Sequence, residues 1–467
     1  MLPIILYGMR SRKLLLLFIL MLGTYFAHAQ YILPENFNSL KAADTVKESK
    51  DADDEGEILI RVKPASSNGI FKNADDVAYS LKVDNLYKVP QDGKLTCYVS
   101  TDMGDKVFEN TQNVHIGKKS SDNFRFKIDC KDYGFYKVSF IFHLSSYDDT
   151  VKRVFGVNTA KILPPLHKPA DFDIFWKRTR DSLAKIAPQY NLIEERALSV
   201  NNKRVFLVEM HSWGDKVVRG WLSIPITKNK KPLPVKYRLP GYIVALEPSL
   251  DDDDFVEFNF NVRGSGNSKS AIDTHGEYNL YNIENRDEYV YRAVYMDCVR
   301  GLDFLYSHAN LGIDTSKIMV DGSSQGGGLA IALAAMDKRV KLATVQVPLY
   351  ADFREAYEYT ALNPKSQTPV GMIVNYVRTH PQFTKEKLFD VWDYYDPVNF
   401  APDAKCPVLM AIGLLDEFCP PRCSVAMYNR LTNKRNEWWS SPEKTHEVDE
   451  LYYTKQFLWF QDLLRLE

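Results

Sequence analysis

Net charge is nearly absent: 59 Lys and Arg stand against 60 Asp and Glu, a formal charge of −1. A nucleic-acid-binding chain normally carries a basic surplus, so nucleic acid is not an expected partner. Cysteine is scarce, with six in 467 residues, so disulfides are not the main scaffold. Cys97 and Cys130 fall in strand-like segments; a bridge and two buried thiols both remain open. Cys419 and Cys423 lack a second pair at metal spacing, which argues against a zinc site. No metal or organic cofactor is expected. Beyond residue 29 no apolar run approaches the roughly 20 residues a membrane-spanning helix needs. What is present, 45% hydrophobic and 25% charged residues, is ordinary globular composition. The length accommodates two or three domains.

The N-terminus reads as a secretory signal peptide over 1–29. Arg10, Arg12 and Lys13 precede an apolar run from Leu14 to Leu22, and Ala27-His28-Ala29 supplies small residues for cleavage after Ala29. The expected location is secreted or periplasmic, with no membrane span once the signal is removed. No Cys follows the cleavage point, so a bacterial lipoprotein anchor is not expected. Residues 30–56 are polar and charged and read as a flexible leader. Over 57–160 short alternating runs suit half-buried strands: Leu59–Val62, Leu95–Val99, Phe124–Ile128 and Tyr136–Phe142. Turn-rich stretches at Gln91-Asp92-Gly93 and Asp132-Tyr133-Gly134 separate them. The expectation is a small all-β, sandwich-like accessory domain that packs or contacts carbohydrate.

Leu163-Pro164-Pro165 marks a linker, and 163–467 reads as one α/β domain. Asp171–Lys185 suits an amphipathic helix with Phe172, Phe175 and Trp176 on one side. Strand candidates at Val205–Met210, Val217–Ile224, Val235–Leu239, Phe255–Phe260, Ile318–Val320, Ala343–Val347 and Val408–Ile412 alternate with helical stretches. That alternation predicts a mostly parallel sheet flanked by helices. The aromatic segment 350–399 reads as a cap inserted over the active site.

Gly322-Ser323-Ser324-Gln325-Gly326 fits G-x-S-x-G, with a strand entering at Lys317–Val320 and an Ala-rich helix leaving over Gly327–Met336. This is the strand-to-helix turn of an α/β-hydrolase nucleophile, where glycines permit close backbone approach. A serine hydroxyl needs a base, and in this fold the order is Ser, acid, His. Of nine histidines only His380 and His446 follow Ser324, and only His446 follows the last strand candidate. Asp416, just past Val408–Ile412, is the expected acid, with Glu417 and Asp449 as alternatives. The expected oxyanion donors are the Gln325 N–H, directly after the nucleophile, and the Tyr242 N–H, in the loop after Val235–Leu239.

These stretches together resemble the acetyl xylan esterase and cephalosporin-C deacetylase family, carbohydrate esterase family seven, from about Lys168 to the end. The matching motifs are Pro169–Trp176, Ser212-Trp213-Gly214, Val262–Gly266, Tyr291–Asp297, Gly322–Gly327, Gly413–Pro421 and His446-Glu447. The resemblance implies deacetylation of acetylated xylo-oligosaccharides or related sugars. It implies Ser324, Asp416 and His446 as the triad and the Tyr242 and Gln325 amides as the oxyanion hole. It also implies a narrow acyl pocket and a tendency to homo-oligomerise. The chain departs from the family pattern in several places. Asn261 and Ser265 stand where the family has Asp and Gln. Pro240 replaces a His or similar polar lead before Gly-Tyr, and Val448-Asp449 replaces small residues. The N-terminal β-region is additional. A secreted serine peptidase would need a propeller, for which some 100 residues hold too few strands. A carbohydrate-binding protein with a decayed hydrolase domain would not need Ser324, Asp416 and His446 together.

Overall fold

In the N-terminal half, apolar side chains at every second position build the strands. In Leu95, Cys97 and Val99 the alternate residues are fully buried and face Phe142, Phe140 and Val138 of an antiparallel neighbour. The computed structural model describes residues 56–130, 133–200, 202–227, 231–272 and 277–464. The expected signal segment and the leader up to residue 55 lie outside them.

The first eight strands are β1 (Ile58–Pro64), β2 (Ile70–Phe71), β3 (Ala78–Asn85), β4 (Gln91–Thr101), β5 (Lys106–Ile116), β6 (Ser121–Lys127), β7 (Gly134–Leu144) and β8 (Tyr147–Val157). They form two sheets, β1-β3-β6 and β2-β8-β7-β4-β5. Tyr79, Leu81, Cys97, Phe126, Phe140 and Phe155 share one buried cluster between them, so the arrangement is a sandwich rather than propeller blades. Cys97 and Cys130 are both buried and unbridged. Gln91-Asp92-Gly93, expected as a turn, lies inside β4. A Cβ at Gly93 would sit 1.9 Å from the His143 carbonyl oxygen, so this glycine serves close strand approach.

The remaining strands are β9 (Asn191–Glu194), β10 (Lys203–Ser212), β11 (Lys216–Pro225), β12 (Leu233–Leu239), β13 (Val256–Asn261), β14 (Ile313–Ser323), β15 (Leu342–Gln346), β16 (Val408–Gly413) and β17 (Glu437–Ser441). They form one sheet in the order β17-β16-β15-β14-β12-β13-β11-β10-β9. The six strands from β17 to β13 are parallel; β11, β10 and β9 add an antiparallel edge. β13, β15 and β16 are buried at every position, as strands covered on both faces must be.

Helices α1 (Phe172–Ala184), α2 (Val290–Ser307), α3 (Gln325–Met336), α4 (Phe353–Ala361), α5 (Pro369–Thr379), α6 (Lys385–Trp392), α7 (Pro397–Phe400), α8 (Pro421–Tyr428) and α9 (Glu450–Leu464) follow in chain order. Helix α3 buries every residue from Gln325 to Ala334. Its small Gly and Ala side chains let it lie directly on the sheet. Helices α4 to α7 occupy the β15–β16 connection, where the cap was expected. Among the described residues no helix is long and apolar enough to cross a membrane.

Candidate active site

Ser324 sits between β14 and α3 with φ 56° and ψ −123°, a backbone conformation that costs a non-glycine residue of order 1–3 kcal/mol. The surrounding chain holds it there. Its N–H donates to Gln346 O at 2.9 Å, and its carbonyl accepts from Leu349 N at 2.9 Å. A Cβ at Gly322 would lie 2.2 Å from Gly326 O, and one at Gly326 would lie 2.2 Å from Leu239 O. Both glycines are therefore required by contact, and the second draws the β12 loop against the turn.

Asp416 follows β16 and is almost fully buried. Its Oδ1 accepts the N–H groups of Phe418 (2.8 Å) and Cys419 (2.9 Å), leaving Oδ2 for His446 Nδ1 at 2.8 Å. His446 Nε2 lies 2.9 Å from Ser324 Oγ. With Nδ1–H donating to the carboxylate, Nε2 is the free acceptor for the serine proton. The Phe418 ring stacks on the imidazole at 5.2 Å. A Cβ at Gly413 would lie 1.9 Å from Thr445 O, and Leu415 N donates to Lys444 O at 2.9 Å, so the two loops run against each other. The two alternative acids are elsewhere. Glu417 is exposed, and Asp449 Oδ2 accepts from Ser441 Oγ and Trp439 Nε1.

The Tyr242 and Gln325 N–H groups find no acceptor among the described residues. Gln325 N–H is at the first turn of α3, where helix donors lack intrahelical partners and the dipole favours negative charge.

A family model described as acetyl xylan esterase matches residues 161–463. This chain belongs to the acetyl xylan esterase family. It is thus a carbohydrate esterase, a serine carboxylic-ester hydrolase with the α/β-hydrolase fold. The acetyl esterase Axe7A of Xylanibacter ruminicola is 26% identical over 404 residues, covering 79% of this chain and 84% of that protein. An acetyl xylan esterase from Paenibacillus sp. R4 matches in structure at 26% identity and a TM-score of 0.59, over 65% of this chain and 98% of its own. Acetyl xylan esterase 1 of Thermoanaerobacterium sp. shares the fold at 23% identity and a TM-score of 0.59, over 65% of this chain and 97% of its own.

Within this acetyl xylan esterase family member, motifs far apart in sequence meet. Arg263 and Asp297 form a buried ion pair at 2.8 Å; Asp297 also accepts from Ser212 Oγ at 2.6 Å, and Arg263 donates to Trp213 O at 2.9 Å. Asn261, in place of the family's Asp, accepts from Leu246 N (2.9 Å) and donates to Leu246 O (3.0 Å). A carboxylate could not make the second bond. The substitution therefore keeps the segment after Tyr242 pinned.

The side-chain network around Gln325 was not foreseen, and Tyr278 carried no sequence signal. The Tyr291 hydroxyl donates to Gln325 Oε1 at 2.6 Å, and the Tyr278 hydroxyl donates to the same oxygen. Gln325 Nε2 reaches Pro240 O at 3.4 Å. The Tyr242 ring stacks on Tyr278 at 4.8 Å, and its hydroxyl lies 2.8 Å from Glu277 Oε2 and 2.9 Å from Asn279 Oδ1. Burial pushes the hydroxyls of Tyr242, Tyr278 and Tyr291 up, keeping them as neutral donors. One cluster, Asp416, Cys419 and His446, has donor atoms within 4.8 Å of one another, a spacing a metal could use. Burial drives the Cys419 thiol well above its ordinary value, away from the thiolate a metal needs, and Asp416 is already shared between two amides and His446. The arrangement suits proton transfer rather than metal binding.

Proposed function

We propose that this esterase removes acetyl groups from acetylated xylo-oligosaccharides or related sugars outside the cytoplasm, through a Ser324–His446–Asp416 acyl-enzyme. The observation that carries the reading is the unbroken chain from Ser324 Oγ to His446 Nε2 and from Nδ1 to Asp416 Oδ2, at 2.9 and 2.8 Å. Ser324 Oγ attacks the acetyl carbonyl while His446 Nε2 takes its proton. Asp416 holds the tautomer and stabilises the imidazolium. The Tyr242 and Gln325 N–H groups donate to the developing oxyanion. His446 then protonates the departing sugar oxygen, leaving acetyl-Ser324. Water, deprotonated by His446, attacks that ester and releases acetate. Helices α4 to α7 serve as the cap. The substrate class rests on the family and on acetyl esterase and acetyl xylan esterase relatives.

The test is acetate release from acetylated xylan, pectin, mannan and simple acetylated sugars by the protein expressed with its own leader. Activity is expected outside the cytoplasm, on a chain starting at Gln30, with acetylated xylan among the good substrates. Ser324→Ala should lower kcat by about 10⁴ or more in a folded protein. Retained activity in that variant would remove the mechanism, and strong preference for a non-xylan ester would change the substrate.

A further inference from the structure

The sandwich and the nine-stranded sheet belong to one compact unit spanning Gly56–Glu467. Contacts from the sandwich converge on the two loops that carry Asp416 and His446 and on the ends of the elements that flank them. On the acid loop, Gly69 at φ 71° is so close to Leu414 that a Cβ there would lie 2.6 Å from Leu414 Cδ1. In the first turn of α8, which follows the acid loop, Arg422 Nε meets Asp102 Oδ2 at 3.1 Å, while its Nη1 reaches Glu355 of α4 at 3.2 Å. Asp102 is 6% exposed, so this pair is largely shielded from water and loses little to screening. At the end of β17, Ser440 Oγ donates to Asn68 O at 2.7 Å, and on the histidine loop that follows Arg153 pairs with Glu443 at 2.8 Å. These four contacts lie two residues before and six after Asp416, and six and three before His446.

We propose that the β-sandwich is a brace for the acid and histidine loops, in which Asn68, Asp102 and Arg153 act as positioning residues. They hold Asp416 and His446 in hydrogen-bonding register with Ser324. The inference rests on reading those three residues as the triad. The loops need such support. Asp416 and His446 lie on connections after β16 and β17, at the edge of the sheet, where β17 has a strand neighbour on one side alone. Small displacements matter here, since a shift of about 1 Å in a reacting group can cost on the order of 10²-fold in rate.

Full-length Ser440→Ala/Arg153→Gln, Asp102→Asn and Asp102→Glu enzymes, assayed on p-nitrophenyl acetate and acetylated xylan well below each variant's Tm, decide the matter. p-Nitrophenyl acetate is too small to bridge from Ser324 to a sugar site on the sandwich. The expected result is a fall in kcat of about tenfold on both esters for the double variant and for Asp102→Asn, with KM for p-nitrophenyl acetate within about twofold. Asp102→Glu should recover part of the loss. A loss confined to acetylated xylan would make the sandwich a substrate-contacting module and overturn the brace. Unchanged kcat on both esters in folded variants would overturn it too. If Asp102→Asn does not fold, the double variant decides alone, because it removes one hydroxyl hydrogen bond and one partly exposed ion pair with little change in packed volume. Failure of the triad reading is a separate result, seen as activity in Ser324→Ala.

Discussion

Gln325 does two jobs from one position. Its N–H is a proposed oxyanion donor, and its side chain links α3 to Tyr278, Tyr291 and the Pro240 carbonyl. Tyr291→Phe removes the buried hydrogen bond to Gln325 at 2.6 Å and a longer one with the Tyr350 hydroxyl at 3.3 Å, and almost no volume. A net loss of about 1 kcal/mol in the alignment of this amide corresponds to about fivefold, so kcat should fall by roughly that factor with KM little changed. A rise in KM at constant kcat would instead assign Tyr291 to ground-state binding. The meeting of Ser324, Asp416 and His446 was legible in the sequence because chain order and strand ends restrict where each can lie. Tyr278 was not, and Tyr291 stood out only as part of a motif without a role, since a tyrosine in a 3-10 turn and one on a buried helix look like packing until the fold brings both hydroxyls to one amide oxygen.

The segment entering the proposed cap holds an unusual group of backbone conformations: Val347, Tyr350 and Asp352 all have positive φ. Asp352 is 7% exposed. Burial, and secondarily Glu355, push its carboxyl from 3.8 to about 7, while Arg422 pulls the other way. The folded state therefore keeps a proton that the unfolded chain releases, and stability falls as pH rises from about 4 to about 7. Asp352→Asn should raise Tm at pH 8 and change it little at pH 4. Equal shifts at the two pH values would contradict the assignment. At this scale the sequence was a good guide where elements are fully buried or strictly alternating, as in β4, β12, β13 and β16. It failed at β5, an edge strand whose Glu109, Asn110 and Thr111 face solvent together. It also failed at Gln91–Gly93, where a turn-forming composition is overridden by pairing with β5 along all three residues and with β7 at Gly93.

The sandwich has a core of its own, but it also shares in that of the esterase fold. Phe135 of β7 is buried in the same cluster as Phe172, Phe175 and Trp176, with Ile70 and Val154 packed against it. The sequence hid this, because the Pro164-Pro165 linker and the change of pattern near residue 160 resemble a boundary between independent bodies. Scanning calorimetry of the full chain should give one main unfolding transition. Two resolved transitions, the lower abolished without effect on esterase activity, would separate the parts.

The glycine at position 69 carries a consequence for anyone wishing to trim or exchange modules. A cut near residue 160 looks convenient on paper, yet it would bare the Leu414 side chain that Gly69 covers and strand Arg422 with half its counter-charge. On the brace proposal, the minimal active form of this chain is longer than the family match at 161–463. A graft that borrows this sandwich for another hydrolase would have to import the receiving loops with it.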